Sequence, residues 1–432
     1  MTNSYSEYKE SNQDWLGAIP YHWELRKMKY SFSERSEKGF PSLPMLAATQ
    51  NHGVIKKSDY ENRTVEATKA LDTLKLVEVG DFVISLRSFQ GGVEYSHERG
   101  IISPAYTVLR PIHIRGNYFK YFGKSPVFIQ LLKSMVTGIR EGQNIDYGKL
   151  RENLIPIPPK DEQDAIANYL DAATAKIDEV IAHQQRMIDL LNERKQVIID
   201  MAALHGLNPD VEMIDSGNDW IGLVPAHWRK NTFRYLFKTR TGITFTKAQL
   251  EEEGEPVISY GQIHSKDNWG ASVNPELIRH IPALLTKGKE GALAIPGDFL
   301  FADTSEDFEG CGNNVFIDSE PVYAGYHTIL AKKNNEEYGP YLAYLFTSTG
   351  WRGQLRSMVN GVKVYSITQT ILNSANVVLP PVDEQKEIAD YITERVVKLD
   401  EGVKRHKEFI KVLQERKQII INDVVTGKVK VV

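Results

Sequence analysis

Apolar side chains return every seven residues along one stretch of this chain, at Leu170, Ile177, Leu191 and Ile198, with Gln184 in the same register. A second stripe interleaves with the first: Ile166, Ala173, Val180, Met187 and Met201, interrupted by Arg194. Two such stripes over about five heptads predict a long helix that pairs with another helix. Farther along, Ile392, Leu399, Leu413 and Ile420 keep the same seven-residue step, with His406 where Gln184 stood. There Arg395 and Gly402 weaken the second stripe, and Val396, Val403 and Ile410 shift the apolar face.

The two stretches are copies. PPKDEQDAIANYLDAATAKIDEVIAHQQRMIDLLNERKQVIID (158–200) and PPVDEQKEIADYITERVVKLDEGVKRHKEFIKVLQERKQIIIN (380–422) align without a gap at an offset of 222. Each opens on a proline pair that stops the preceding segment, then on acids that complement a helix N-terminus. A helix of about forty residues spans ~60 Å and cannot bury its stripe alone in water. Its expected partner is the other copy; the alternative is that each stripe faces the core of its own half. A polar residue on an apolar seam fixes register, so Gln184 and His406 are expected to lie close together.

A second block is also duplicated. DWLGAIPYHWELRKMKYSF (14–32) recurs as DWIGLVPAHWRKNTFRYLF (219–237), an offset of 205. Trp and Pro at the start of a domain usually pack, so His22 and His227 read as structural. Strand-turn-strand patterns follow in LKLVEVGDFVISL (74–86) and GALAIPGDFLFA (291–302), then strands in SPAYTVLRPI (103–112) and GYHTILAKK (325–333). Helical spacing follows in 117–136 and 340–359, then a glycine loop and a short strand that leads into each long helix. The predicted organisation is a mixed α+β domain (1–156), a long helix (157–206), a second such domain (207–379) and a second long helix (380–432). The two helices form an antiparallel coiled coil in this reading.

Composition adds exclusions. Charged residues are 25% and hydrophobic residues 41%, an ordinary globular mixture without a membrane-length apolar run. The polar start MTNSYSEYKE has no signal-peptide core, and one cysteine, Cys311, excludes a disulfide framework. A cytoplasmic location follows as an expectation. Net charge is −4, but residues 1–156 carry +4 and residues 207–379 carry −5. A nucleic-acid ligand would require positive charge gathered on one face. No GxGxxG, GxxxxGK[ST] or [DNS]PP[YFW] motif occurs, and His113 and His327 are isolated. The chain therefore reads as non-catalytic, without a cofactor or metal of its own.

Two α/β domains, each followed by a Pro-Pro-x-Asp-Glu-Gln entrance and a helix carrying Glu-Arg-Lys-Gln, resemble the specificity subunit of type I restriction-modification systems. The matching residues are Ile157-Pro158-Pro159-Lys160-Asp161-Glu162-Gln163 and Leu379-Pro380-Pro381-Val382-Asp383-Glu384-Gln385. The resemblance implies two target-recognition domains, each reading one half of a bipartite asymmetric site in double-stranded DNA. It implies helices that set the gap and dock two modification subunits, which carry S-adenosylmethionine and methylate adenine. Restriction subunits, where a system has them, add ATP- and Mg-dependent cleavage.

Readout chemistry favours Arg on guanine and Asn or Gln on adenine. The candidate DNA-binding residues are Arg87, Gln90, Arg99, Arg140, Gln143 and Asn144 in the first domain. In the second they are Lys247, Gln262, Asn313, Asn314, Lys363 and Tyr365. Alanine at Arg140 is expected to weaken binding to the first half-site alone. Glu251-Glu252-Glu253 is expected to face away from DNA. Candidate partner or spacer residues are Glu162, Gln163, Gln184 and Arg194, with Glu384, Gln385, His406 and Arg416 in the second copy. The competing reading is a scaffold of the same architecture with a protein ligand, which the acidic second domain favours. A self-contained methyltransferase or nuclease is disfavoured by the absent motifs.

Overall fold

A computed structural model of the chain describes residues 4–50, 52–59, 71–137, 144–334, 336–359 and 364–431. The chain divides into two compact units: Met1–Gln185 with Lys407–Val432, and Arg186–His406. Each unit holds one head domain and a portion of each of two long helices, α1 (Lys160–His205) and α2 (Val382–Val425).

In the first unit the head is built on four strands, β1 (Phe32–Arg35), β2 (Phe82–Ile84), β3 (Glu94–Tyr95) and β4 (Thr107–Pro111), in the order β1-β4-β2-β3. Every residue of β2 is buried, because both faces of the sheet are covered. Strand alternation sends Phe82 and Leu109 to one face, among Phe119, Phe122 and Phe128. It sends Val83 and Val108 to the other, among Leu46, Val54 and Val77. The helical run at 117–136 is two helices, Gly116–Phe122 and Pro126–Ser134. The break falls at Ser125, whose hydroxyl accepts from Phe128 N and donates to Phe122 O, capping one helix on the end of the other.

The second unit repeats this plan with β5 (Phe237–Thr241), β6 (Phe299–Ala302), β7 (Asn314–Phe316) and β8 (Thr328–Lys333), ordered β5-β8-β6-β7. Phe299, Phe301 and Ile329 join the helix-side core; Leu300, Val315 and Leu330 join the opposite one. Ser348 breaks the helical run as Ser125 does. A second four-stranded sheet is added here. The strand-turn-strand reading of residues 74–86 holds. The Gly80-Asp81 turn joins strands in different sheets rather than a hairpin: Lys75–Val77 pairs with Gly100–Ile102, and β2 with β4 and β3.

The long helices run antiparallel. In the first unit Ile166 and Leu170 near the start of α1 share a core with Ile421, Val424 and Val425 at the end of α2. In the second unit Ile199, Ala202 and Ala203 at the end of α1 share one with Ile388, Ala389 and Ile392 near the start of α2. Ion pairs flank the seam at equivalent places: Lys417 to Asp178 at 2.7 Å in the first unit, and Lys195 to Asp400 at 2.9 Å in the second.

The first stripe of α1 holds as expected, with Leu170 buried and Ile177, Leu191 and Ile198 half-buried. The second holds in part, with Ile166 buried and Ala173 and Met187 half-buried. Val180 and Met201 are exposed, and Thr174, Ile188 and Ala202 are buried instead. The contact line therefore advances by one residue, as it does when 3.6 residues per turn are laid against a seven-residue repeat. In α2 the shifted stripe of Val396, Val403 and Ile410 is buried or half-buried. Gln184 and His406 are each half-buried and fall in different units.

Candidate functional site

Two polar knots fasten each head to the helices. At the start of α1, Glu162 is almost fully buried and accepts from Trp23 Nε1 at 3.1 Å, His22 Nε2 at 2.8 Å and the Tyr5 hydroxyl. Burial and this carboxylate push the Tyr5 phenol well above its ordinary pKa. Gln163, fully buried, accepts from Arg115 N at 2.8 Å and donates to Pro158 O at 2.7 Å. At the start of α2, Glu384 accepts from Trp228 Nε1 at 3.1 Å and His227 Nε2 at 2.8 Å. Gln385 accepts from Tyr338 N at 2.8 Å and donates to Pro380 O at 2.9 Å.

The far ends are held by tyrosines. Tyr118, fully buried, donates to Val425 O at the end of α2 across 3.2 Å. Tyr341, also fully buried, donates to Ala203 O near the end of α1 across 3.1 Å. Dehydration raises both phenols well above the ordinary value, so both stay protonated donors. Gly427 (φ 76°) and Gly206 (φ 78°) turn the chain out of the two helices in a left-handed conformation that suits glycine. Each head thus grips the start of one long helix and the end of the other.

This places the expected partner residues. Glu162, Gln163, Glu384 and Gln385 are occupied inside their own units, because the buried helix start must satisfy its polar groups locally. Arg194 and Arg416 are exposed, at equivalent positions in the two copies.

The loop residues fall into three groups. Arg87 and Gln90 are exposed and line a concave surface of ≈ 940 Å³ with Gln50, His52, Lys56 and Tyr106. Lys247 is exposed, and Tyr365 is half-buried with its ring 5.5 Å from that of Phe308. Others are engaged within the fold. Arg99 pairs with Glu78 at 3.0 Å, and the Gln262 amide oxygen accepts from Ser259 N at 3.0 Å, capping a helical turn. Asn313 bridges Arg352 and His264. Asn314 is a correction. It is 3% exposed and donates to Gly312 O and Phe346 O, because it opens β7 with its side chain turned inward. Arg140, Gln143 and Lys363 lie outside the described residues, and Asn144 begins a two-residue strand with Ile145.

Sequence reasoning missed Arg352 and Arg356, which lie on one face of the helix Thr349–Met358 and both donate to Glu309 O. Burial, together with Arg356, pulls the Arg352 pKa down to about 10. Their spacing of four residues was the available signal. Among the described residues no three His, Cys, Asp or Glu side chains gather as metal ligands, and no helix is long and apolar enough to cross a membrane.

A family model described as the type I restriction modification DNA specificity domain matches residues 24–187 and again 225–405. The chain is 22% identical over 438 residues to the type I restriction enzyme MjaVIII specificity subunit of Methanocaldococcus jannaschii, covering 98% of this chain and 97% of that one. It is 26% identical over 292 residues to the type I restriction enzyme EcoKI specificity subunit of Escherichia coli K12, covering 65% of this chain and 59% of that one. A solved structure reported for the assembly and conformational transition of the type I R-M system has the same fold. It superposes with a TM-score of 0.61 at 15% identity, covering 94% of this chain and 98% of that chain.

Proposed function

From a chain that belongs to the family of type I restriction modification DNA specificity domains, we propose a reading head mechanism in which the two long helices act as the ruler. The chain is a DNA sequence-specificity subunit with two target-recognition domains, and the scaffold reading is not favoured. Each head takes one half of a bipartite asymmetric site in double-stranded DNA. The paired helices set the gap between the halves, on the order of one turn of DNA, about 34–36 Å.

The observation that carries this is the double grip of each head on both helices. Glu162-Gln163 and Tyr118 hold the first head to the start of α1 and the end of α2. Glu384-Gln385 and Tyr341 do the same for the second. In this reading a head tied to both helices cannot be re-spaced without changing helix length.

Catalysis belongs to partners in this proposal. Two modification subunits, carrying S-adenosylmethionine, dock on the helices, and restriction subunits with ATP and Mg complete a cleaving complex. Leu190 and Val197 beside Arg194 support this, as do Val412 and Ile419 beside Arg416. All four apolar residues are more than half exposed and stand 222 positions apart in pairs. Repeated apolar surface around an arginine is what a buried protein contact uses.

The test is to map methylated adenines made by the complete complex, with the natural chain and with one turn (~4 residues) inserted in both helices at equivalent positions. The expected result is an altered gap with both half-site sequences kept. An altered half-site at an unaltered gap contradicts the ruler. DNA binding that does not weaken with salt speaks for the scaffold instead.

A further inference from the structure

The loop from β2 to β3 (residues 85–93) and the loop from β6 to β7 (residues 303–313) occupy the same place in the two heads, at the outer strand of the four-stranded sheet. We propose that these two loops choose the bases of the two half-sites, through the donors Arg87 and Gln90 in the first head and through the acceptor Glu306 in the second. This rests on the reading of the chain as a DNA specificity subunit.

The foot of each loop carries a buried polar side chain that begins the outer strand. Glu94 opens β3 and pairs with Val83 in the ladder; Asn314 opens β7 and pairs with Phe301. They are 2% and 3% exposed, and among the described residues each keeps one side-chain oxygen without a partner, Glu94 Oε2 and Asn314 Oδ1. Their other atoms are tied down, Glu94 Oε1 to Lys124 Nζ at 2.6 Å and Asn314 Nδ2 to Phe346 O at 3.2 Å. Val83 corresponds to Leu300 rather than to Phe301, so the two residues face opposite sides of the sheet, Glu94 toward the ≈ 940 Å³ concavity that it lines with Arg87 and Gln90, and Asn314 toward the helix-side core.

The loops differ in chemistry. In the first, the side chains of Arg87 and Gln90 are exposed on the wall of the ≈ 940 Å³ concavity with no partner among the described residues. In the second, three carboxylates crowd the tip. Asp307 accepts from Gly310 N at 2.5 Å, and Glu309 meets Arg356 at 3.0 Å. Glu306 is exposed and unengaged among the described residues. The two guanidiniums beneath the tip balance two of its three negative charges, which lets an acidic loop approach a polyanion.

The second loop is also pinned. Arg352 can only donate, so Asn313 turns its oxygen toward Arg352 and its NH₂ toward His264 Nδ1, 3.0 Å away. His264 then carries its proton on Nε2 and donates to Thr304 O at 2.8 Å. The two ends of the loop are thereby clamped to one imidazole.

Arg pairs with guanine, Gln with adenine, and a carboxylate with the amino group of cytosine. The test selects duplexes from a randomised pool with the full chain assembled with its modification subunits. Arg87→Gln is expected to exchange a guanine for adenine at one position of one half-site. Glu306→Gln is expected to exchange a cytosine for adenine at one position of the other. Each preference shifts by about tenfold or more. Arg87→Ala and Glu306→Ala are expected to lose the same preferences without gaining new ones. An unchanged consensus in either Gln variant, or both variants altering the same half-site, overturns the inference while the specificity function stands. A natural complex that selects no bipartite sequence overturns that function, and the inference with it.

Discussion

The indole of Trp23 donates to Glu162 across 3.1 Å, in a knot whose most exposed member is His22, with 48% of its side chain open to solvent. Glu384 holds Trp228 at the same distance in the other unit, but its side chain is 26% exposed where that of Glu162 is 10%. Removing a buried hydrogen-bonded acceptor leaves its donors unsatisfied, at about 1–3 kcal/mol. Glu162→Ala strands Tyr5 as well as Trp23 and His22. It is therefore expected to destabilise the first unit more than Glu384→Ala destabilises the second. Hydrogen exchange resolved by segment, on each variant of the full chain, measures both. Equal losses would show that the extra donor contributes nothing.

Glu94 gives a pH dependence of unusual sign. Burial raises its pKa above the ordinary carboxylate value, and Lys124 only partly offsets this. A group whose folded pKa is raised favours the folded state below its unfolded pKa and loses that contribution as pH climbs through the folded value. Glu94→Gln carries no such charge. The variant is therefore expected to gain stability relative to the natural chain as pH rises from 4 to 7. Denaturant midpoints of both proteins across that window report the difference. A natural chain that gains on the variant with rising pH would mean that Lys124 outweighs burial.

The first unit is completed by the last part of the chain. Ile421, Val424 and Val425 belong to its core, and Val425 O accepts from the buried Tyr118 hydroxyl. Each lost aliphatic side chain is worth roughly 1.5–3 kcal/mol of burial, against a typical domain stability of about 5–15 kcal/mol. A chain ending at residue 406 is expected to lose cooperative unfolding of the first unit and to keep that of the second. Limited proteolysis followed by mass spectrometry distinguishes the two. Protection of residues 14–136 in the shortened chain would contradict the assignment.

Much of this architecture was readable because it is written twice. The offset of 222 located both helices, and the ion pairs Asp178–Lys417 and Lys195–Asp400 are the same pair of positions exchanged between copies. The seam error at Val180 was avoidable: Val396, Val403 and Ile410, carried back by 222, are Thr174, Ile181 and Ile188, the stripe that is buried or half-buried. The role of Glu162 was harder to read. Its partners stand some 140 residues earlier, and no local pattern announces a contact of that range. The signal was joint duplication, since the Trp-bearing block and the Glu-Gln block both recur. Asn313 and Asn314 look alike in sequence, yet strand alternation turns the second inward, and where β7 begins was not fixed by the residues alone.

The composition of the first unit bears on how the protein is made. A ribosome releases residues 1–185 long before residue 407, and at about 5–20 residues per second the intervening stretch takes on the order of 10–45 s. Through that interval the aromatic side chains around Tyr118 and the start of α1 lack their closing helix turn. The second unit, contiguous in the chain, has everything it needs first. Vectorial synthesis therefore leaves the earliest-made head waiting, and it is this head that a holdase chaperone has most reason to meet.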